Sequence, residues 1–133
     1  MASIFYQPSM VYFRSKNFGA TIDLDMMPVL PLIKIRKLFK LMLSEPNRNT
    51  EAITTTEAWL AAVVAKTKST WMETSKSYKE NRRTTYSDGC VIPEAQQKKI
   101  NKPLIVALKK AKAKFERASK IQVLFQKLKN KEK

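Results

Sequence analysis

Residues 97–133 read QKKINKPLIVALKKAKAKFERASKIQVLFQKLKNKEK, and two superposed spacings in this stretch set the fold class. On a helical wheel of ~100° per residue, Leu104, Leu108, Ala111, Phe115 and Ala118 fall on one side, and Ile121, Phe125 and Leu128 prolong that stripe with a small drift. Lys109, Lys120, Lys127 and Lys131 gather on the far side, within about 40° of one another. The spacing predicts one long helix, apolar where it meets protein and cationic where it meets something else. At ~1.5 Å rise per residue, Leu104 to Leu128 would cover roughly 36 Å, enough to set several ammonium groups along a phosphate backbone at once.

From Lys98 to Lys133 the chain carries 13 of its 26 basic residues against only Glu116 and Glu132, a net +11 out of the chain's +15. Any soluble helix turns lysines outward, but ordinary surfaces mix both signs and this one barely does. Such an imbalance speaks to partners rather than to fold: nucleic acid first, an anionic membrane surface second, an acidic protein third. Lysine is a hydrated point charge on a flexible stem, suited to contacting phosphates without reading a base sequence.

A chain of 133 residues with 44% apolar residues is the size of one ordinary domain with a modest core. Its only glycines, Gly19 and Gly89, leave little material for hairpins or Gly-rich phosphate loops, which favours long helices. The single cysteine, Cys90, allows no disulfide framework and no cysteine-rich zinc site, and without a basic partner it reads as a passive thiol. The chain has no histidine, so the commonest general base and metal ligand are both missing. Asp23 and Asp25 form a lone Asp-x-Asp without the rest of a calcium loop, read as a solvated loop. No P-loop or GxGxxG occurs. No catalytic residue, metal or cofactor is expected.

The start, MASIFYQPSMVYFRSKNF, lacks the charged and apolar regions of a secretory signal. The most apolar stretch, residues 29–43, is interrupted by Lys34, Arg36, Lys37 and Lys40, so no transmembrane helix is expected.

Taken in order, residues 1–27 read as an irregular arm with a short strand or helix near Ser9 to Phe13; its aromatic groups would pack on their own chain or on a neighbouring copy. A helix is expected from Pro28 or Pro31 to Ser44, with Pro46 beyond its end. Leu32, Ile35, Phe39, Met42 and Leu43 share one face and Arg36, Lys37 and Lys40 another. A long helix follows from Thr50 or Thr54 to about Arg83. Thr54-x-x-Glu57 has the form of a capping box, unless the helix has already begun at Thr50. Leu60, Val64, Trp71 and Tyr78 keep helical spacing, but intervening Ser and Thr leave the second half only partly buried. Arg82 and Arg83 also suit the negative end of the helix dipole. Asp88-Gly89 marks a turn in a loop between helices, with a hairpin as the alternative. Pro93 opens a short helix through Ile100, and Pro103 kinks it or starts the last helix afresh. The expected class is all-α, a small helical bundle or extended helices, with an arm at 1–27 and a basic helical domain at 28–133.

Recognition motifs for nucleic acid are missing: no RNP sequence, GXXG loop, zinc-finger spacing or zipper behind a basic region. That favours sequence-independent contacts to the phosphate backbone. The candidate contacts are Lys98, Lys102, Lys109, Lys112, Arg117, Lys120, Lys127 and Lys131 in the last third, with Arg36, Lys37, Lys40, Arg82 and Arg83 upstream. In size, charge, helical plan and N-terminal arm the chain resembles the small basic coat proteins of filamentous archaeal viruses. That resemblance implies a homo- or hetero-oligomeric virion protein whose helices wrap DNA. A ribosomal or other ribonucleoprotein subunit is the alternative, disfavoured by the scarcity of glycine for threading RNA; a basic scaffold at a membrane complex ranks third.

Overall fold

Residues 10–15, MVYFRS, place β-branched and aromatic Val11, Tyr12 and Phe13 side by side, which suits an extended strand with side chains on alternate faces. In the computed structural model, which describes residues 10–16 and 18–131, β1 (Met10–Ser15) pairs antiparallel with β2 (Phe18–Asp23), placing Val11 opposite Ile22 and Phe13 opposite Ala20. Val11, Phe13 and Ser15 are buried while Met10, Tyr12 and Arg14 are exposed. The strands join across a two-residue connection with no glycine, where Lys16 takes φ 51°, the left-handed region that tight hairpin turns demand. The exposed Tyr12 ring lies across Gly19, where a Cβ would make its hydroxyl end shift aside.

The all-α expectation with an irregular arm over 1–27 is therefore corrected. The chain is mostly helical with a two-stranded sheet near its N-terminus, and from Met10 onward the expected arm is a hairpin whose inner face joins its own chain's core. Residues 1–9 lie outside the described residues.

After β2 the Asp23 carboxylate accepts the Asp25 N–H at 3.0 Å, capping a 3-10 turn over Leu24–Met26. The Asp-x-Asp is thus a cap. Helix α1 (Leu32–Leu43) starts directly after Pro31, since proline suits the entry to a helix. It buries Ile35, Phe39, Met42 and Leu43, the i, i+4, i+7, i+8 face visible in the sequence. Helix α2 (Thr50–Asn81) begins at Thr50, and the Thr54 hydroxyl donates to the Thr50 carbonyl at 2.9 Å. Thr54 is an interior residue and the capping box is not formed. Helices α3 (Glu94–Ile100) and α4 (Lys102–Lys131) are separate, with Pro103 in the first turn of α4.

The chain packs as two compact units, one made of the chain up to Val63 and from Arg117 onward, the other of Val64–Glu116; α2 and α4 contribute to both. The first unit holds the apolar core: Phe13, Ile22, Leu24 and Met27 pack with Ile35, Phe39, Met42 and Leu43 of α1, Ile53 and Leu60 of α2, and Ile121, Phe125 and Leu128 of α4. Phe39 and Phe125 meet edge to face, 4.8 Å between ring centres. Each buried side chain of this size contributes ~1.5–3 kcal/mol, and the ring pair about 0.5–1.5 kcal/mol more.

The second unit is held differently. Trp71 of α2 stacks on Phe115 of α4 at 5.3 Å, both rings only half-buried. Between α2 and α3, Thr85 bridges Val91 and Gly89 sits at φ 88°. This is a small hairpin-like loop turning at the Asp88-Gly89 signal.

Candidate nucleic-acid interface

Each unit contains a buried asparagine that ties its elements together. Asn101 lies between α3 and α4, is buried, and grips the backbone on both sides of Arg83: its Oδ1 accepts the Arg83 N–H at 2.8 Å, and its Nδ2 donates to the Arg83 carbonyl at 3.0 Å. The end of α2 is thereby tied to the α3–α4 joint. Exposed Arg82, Arg83, Lys98, Lys99 and Lys102 all lie within three residues of one side of that grip, so five cations are collected at one place. The Arg82 guanidinium also stands 5.9 Å above the Tyr78 ring, a contact that holds a cation without neutralising it. Lys109, Lys110, Lys112 and Lys114 extend the positive surface along this unit's half of α4, all exposed.

In the first unit Asn49 repeats the device. Its Oδ1 accepts the Arg14 N–H at 2.8 Å, and its Nδ2 donates to the carbonyls of Arg14 at 2.6 Å and Met42 at 2.8 Å. This joins the hairpin to the end of α1 and the start of α2. The exposed cations here include Lys34, Arg36, Lys37 and Lys40 on α1, and Lys120, Lys127 and Lys131 on α4.

Arg117 departs from the expected set of phosphate contacts. Its Nη2 donates to the Met27 carbonyl at 2.8 Å and to the Leu30 carbonyl, and its Nε is buried without a partner. The guanidinium thus turns Nη2 inward onto two carbonyls and fixes the turn before α1, while the residue as a whole is half-buried. Its sequence position was ambiguous, because at ~100° per residue Arg117 falls about 40° from buried Ile121 on one side and about 40° from exposed Lys131 on the other. Lys99, missing from that set, stands beside Lys98 at the Asn101 joint. Asn49 and Asn101, which tie the elements together, carried no sequence signal beyond their places ahead of long helices.

Very little of this charge is neutralised internally. Among the described residues there are three ion pairs: Arg48 with Glu45, Lys112 with Glu116 at 3.9 Å, and Lys129 with Glu57. The first two are short-range pairs along the chain, and such exposed pairs contribute at most ~1 kcal/mol. Arg36, Lys37, Lys40, Lys98, Lys102, Lys109, Lys120 and Lys127 pair with no described carboxylate. Crowded cations repel one another and are relieved by a polyanion, whose own counterions are then released.

No group of described His, Cys, Asp or Glu side chains could hold a metal ion, and no described helix is long and apolar enough to cross a membrane. Comparison with known protein families, with curated proteins and with solved structures finds no match.

Proposed function

We propose that this protein binds nucleic acid through its phosphate backbone, without reading base sequence, and packages it as a coat or nucleoprotein subunit in a virion or other nucleoprotein particle. The observation that carries the reading is the set of exposed, unpaired cations: both units present lysines and arginines on ordered helices, and only three described ion pairs offset them. Duplex DNA is favoured over RNA because the cations stand on helices rather than on the extended glycine-rich tails that approach RNA backbone closely. In the second unit, α4 carries Lys102, Lys109, Lys110, Lys112 and Lys114 over a length of ~18 Å, whereas a duplex carries one charge per ~1.7 Å. One helix therefore meets a minority of the phosphates beside it. Packaging a duplex requires many copies side by side, as homo- or hetero-oligomers.

The test is salt-dependent binding of mixed-sequence duplexes. With ~6–10 phosphates neutralised, affinity falls by about 10³–10⁵ between roughly 50 and 200 mM salt, scrambling the sequence leaves it within a few-fold, and saturating protein gives filaments by electron microscopy. Binding that is flat with salt, or that depends on one base sequence, contradicts the reading. A strong preference for folded RNA moves the protein to the ribonucleoprotein class.

A further inference from the structure

The turn ahead of α1 holds an apolar projection that neither the core nor the phosphate-binding surface uses. Val29 and Ile33 are 71% and 72% exposed, and Met26 and Leu32 are 47% and 39% exposed, four aliphatic side chains within eight residues of chain. They are held rigidly. The Val29 and Leu30 N–H groups donate to the Met26 carbonyl at 3.0 and 3.1 Å, Met27 is buried in the core, and Arg117 grips the carbonyls of Met27 and Leu30. A half-buried arginine that commits Nη2 to two carbonyls and leaves a buried Nε unpartnered is a costly anchor, and the turn it fixes points apolar groups outward.

The surroundings of this projection are cationic. Ile33 heads the α1 face that continues with Arg36, Lys37 and Lys40, at i+3, i+4 and i+7, and Lys34 follows it directly. All four cations are exposed, and no Asp or Glu occurs from Met26 to Ser44. We infer that this projection docks on the interface of an anionic lipid bilayer, with Met26, Val29, Leu32 and Ile33 entering the acyl boundary and Lys34, Arg36, Lys37 and Lys40 meeting the headgroups. The dimensions fit. Ile33 and Lys40 are ~10 Å apart along the helix, interfacial apolar groups sink about 5–10 Å, and lysine and arginine stems reach back to the headgroup level.

The same features disfavour the other occupants. A second copy would bring four cations against four like charges. A duplex offers phosphates and groove edges to the cations, but it accepts an aliphatic wedge only by unstacking and kinking a base step, which four neighbouring wedges would have to repeat. An anionic bilayer satisfies both halves of the patch at once.

The experiment is vesicle flotation of the full chain with phosphatidylcholine containing about 30 mol% phosphatidylserine, comparing the parent with Val29→Ser/Ile33→Ser. Both positions are exposed, so helical content by circular dichroism should match the parent. The parent is expected to float at low salt and to keep a substantial bound fraction at about 500 mM salt, where charge attraction is screened. The double variant should float at low salt but lose roughly tenfold or more at high salt, with duplex DNA affinity within about twofold of the parent by the same conversion. Identical salt profiles for parent and variant, or equal parental binding to pure phosphatidylcholine, would overturn the inference. Loss of DNA affinity in the variant with lipid binding unchanged would assign the projection to nucleic acid, and a parental dimer dissolved by the substitutions would assign it to a second copy.

Discussion

Asn49 in the first unit and Asn101 in the second each precede a long helix, each accept with their own carbonyl the N–H four residues on, and each hold both the N–H and the carbonyl of one arginine. What stands behind the grip differs. Behind Asn49 lie Phe13, Phe39 and Phe125, all fully buried, with twelve further residues of the same cluster; in the second unit only Ile92 and Ala111 among apolar residues are buried. The first unit is defined by burial and its hydrogen bonds add precision. In the second, hydrogen bonds and one aromatic stack set the geometry, and the surface is left to cations. A unit with so little apolar burial has a low local stability, which suits a surface that gains order when a polyanion removes its self-repulsion.

Truncation of the aromatic residues should widen this contrast most. Phe125→Ala removes a fully buried ring and its partner contact with Phe39, and is expected to lower unfolding free energy by ~3–5 kcal/mol in urea titrations. Phe115→Ala, which removes the half-buried partner of Trp71, should cost about 1–2 kcal/mol. Equal losses would mean that the second unit has a core of comparable weight.

Next come the asparagines. Asn49→Ala strands three backbone groups and should cost ~2–4 kcal/mol; Asn101→Ala strands two and should cost about 1–2 kcal/mol. Hydrogen exchange sharpens the difference: Asn101→Ala should accelerate amides of α3 and the start of α4 while leaving those of α1 unchanged. Uniform acceleration would show that the two units open together.

Arg117→Met tests the inward guanidinium. The lost bonds to Met27 and Leu30 are partly offset by removing a buried charge, so ~1–2 kcal/mol is expected, with the largest chemical-shift changes over 26–33. The smallest effect concerns Asp88, whose carboxyl is held below its ordinary value of 3.8 chiefly by the Cys90 backbone N–H and further by the Cys90 side chain. A carboxyl depressed on folding stabilises fully above its unfolded value and loses that contribution as pH falls through the folded one. The protection of the Cys90 amide should therefore hold from neutrality down through the ordinary carboxyl value and be lost only as pH falls further, through the depressed folded one.

The helices were legible because their apolar residues repeat at helical spacing: Ile35, Phe39, Met42 and Leu43 on α1, and Ala111, Ala118, Ile121, Phe125 and Leu128 on α4, are all buried. The half-buried states of Val64, Trp71 and Tyr78 follow from the Ser and Thr between them. The hairpin was illegible as such because its turn has no glycine; Lys16 adopts the left-handed conformation instead, and the alternation of Val11, Phe13 and Ser15 is only three steps long. Arg117 looked like one more outward cation because sequence reports charge without orientation. Its inward course depends on carbonyls 87 and 90 residues away.

The central claim is that the cations on α4 are a contact surface for a polyanion and not merely solvated. Lys109→Glu, Lys120→Glu and Lys127→Glu together change three exposed positions whose side chains lie off the apolar stripe, so circular dichroism should be near that of the parent. Measured by fluorescence anisotropy on a mixed-sequence duplex at fixed salt, the triple variant should lose binding by several orders of magnitude, since each reversed charge removes a phosphate contact and adds repulsion. Parental affinity in a folded triple variant would contradict the account.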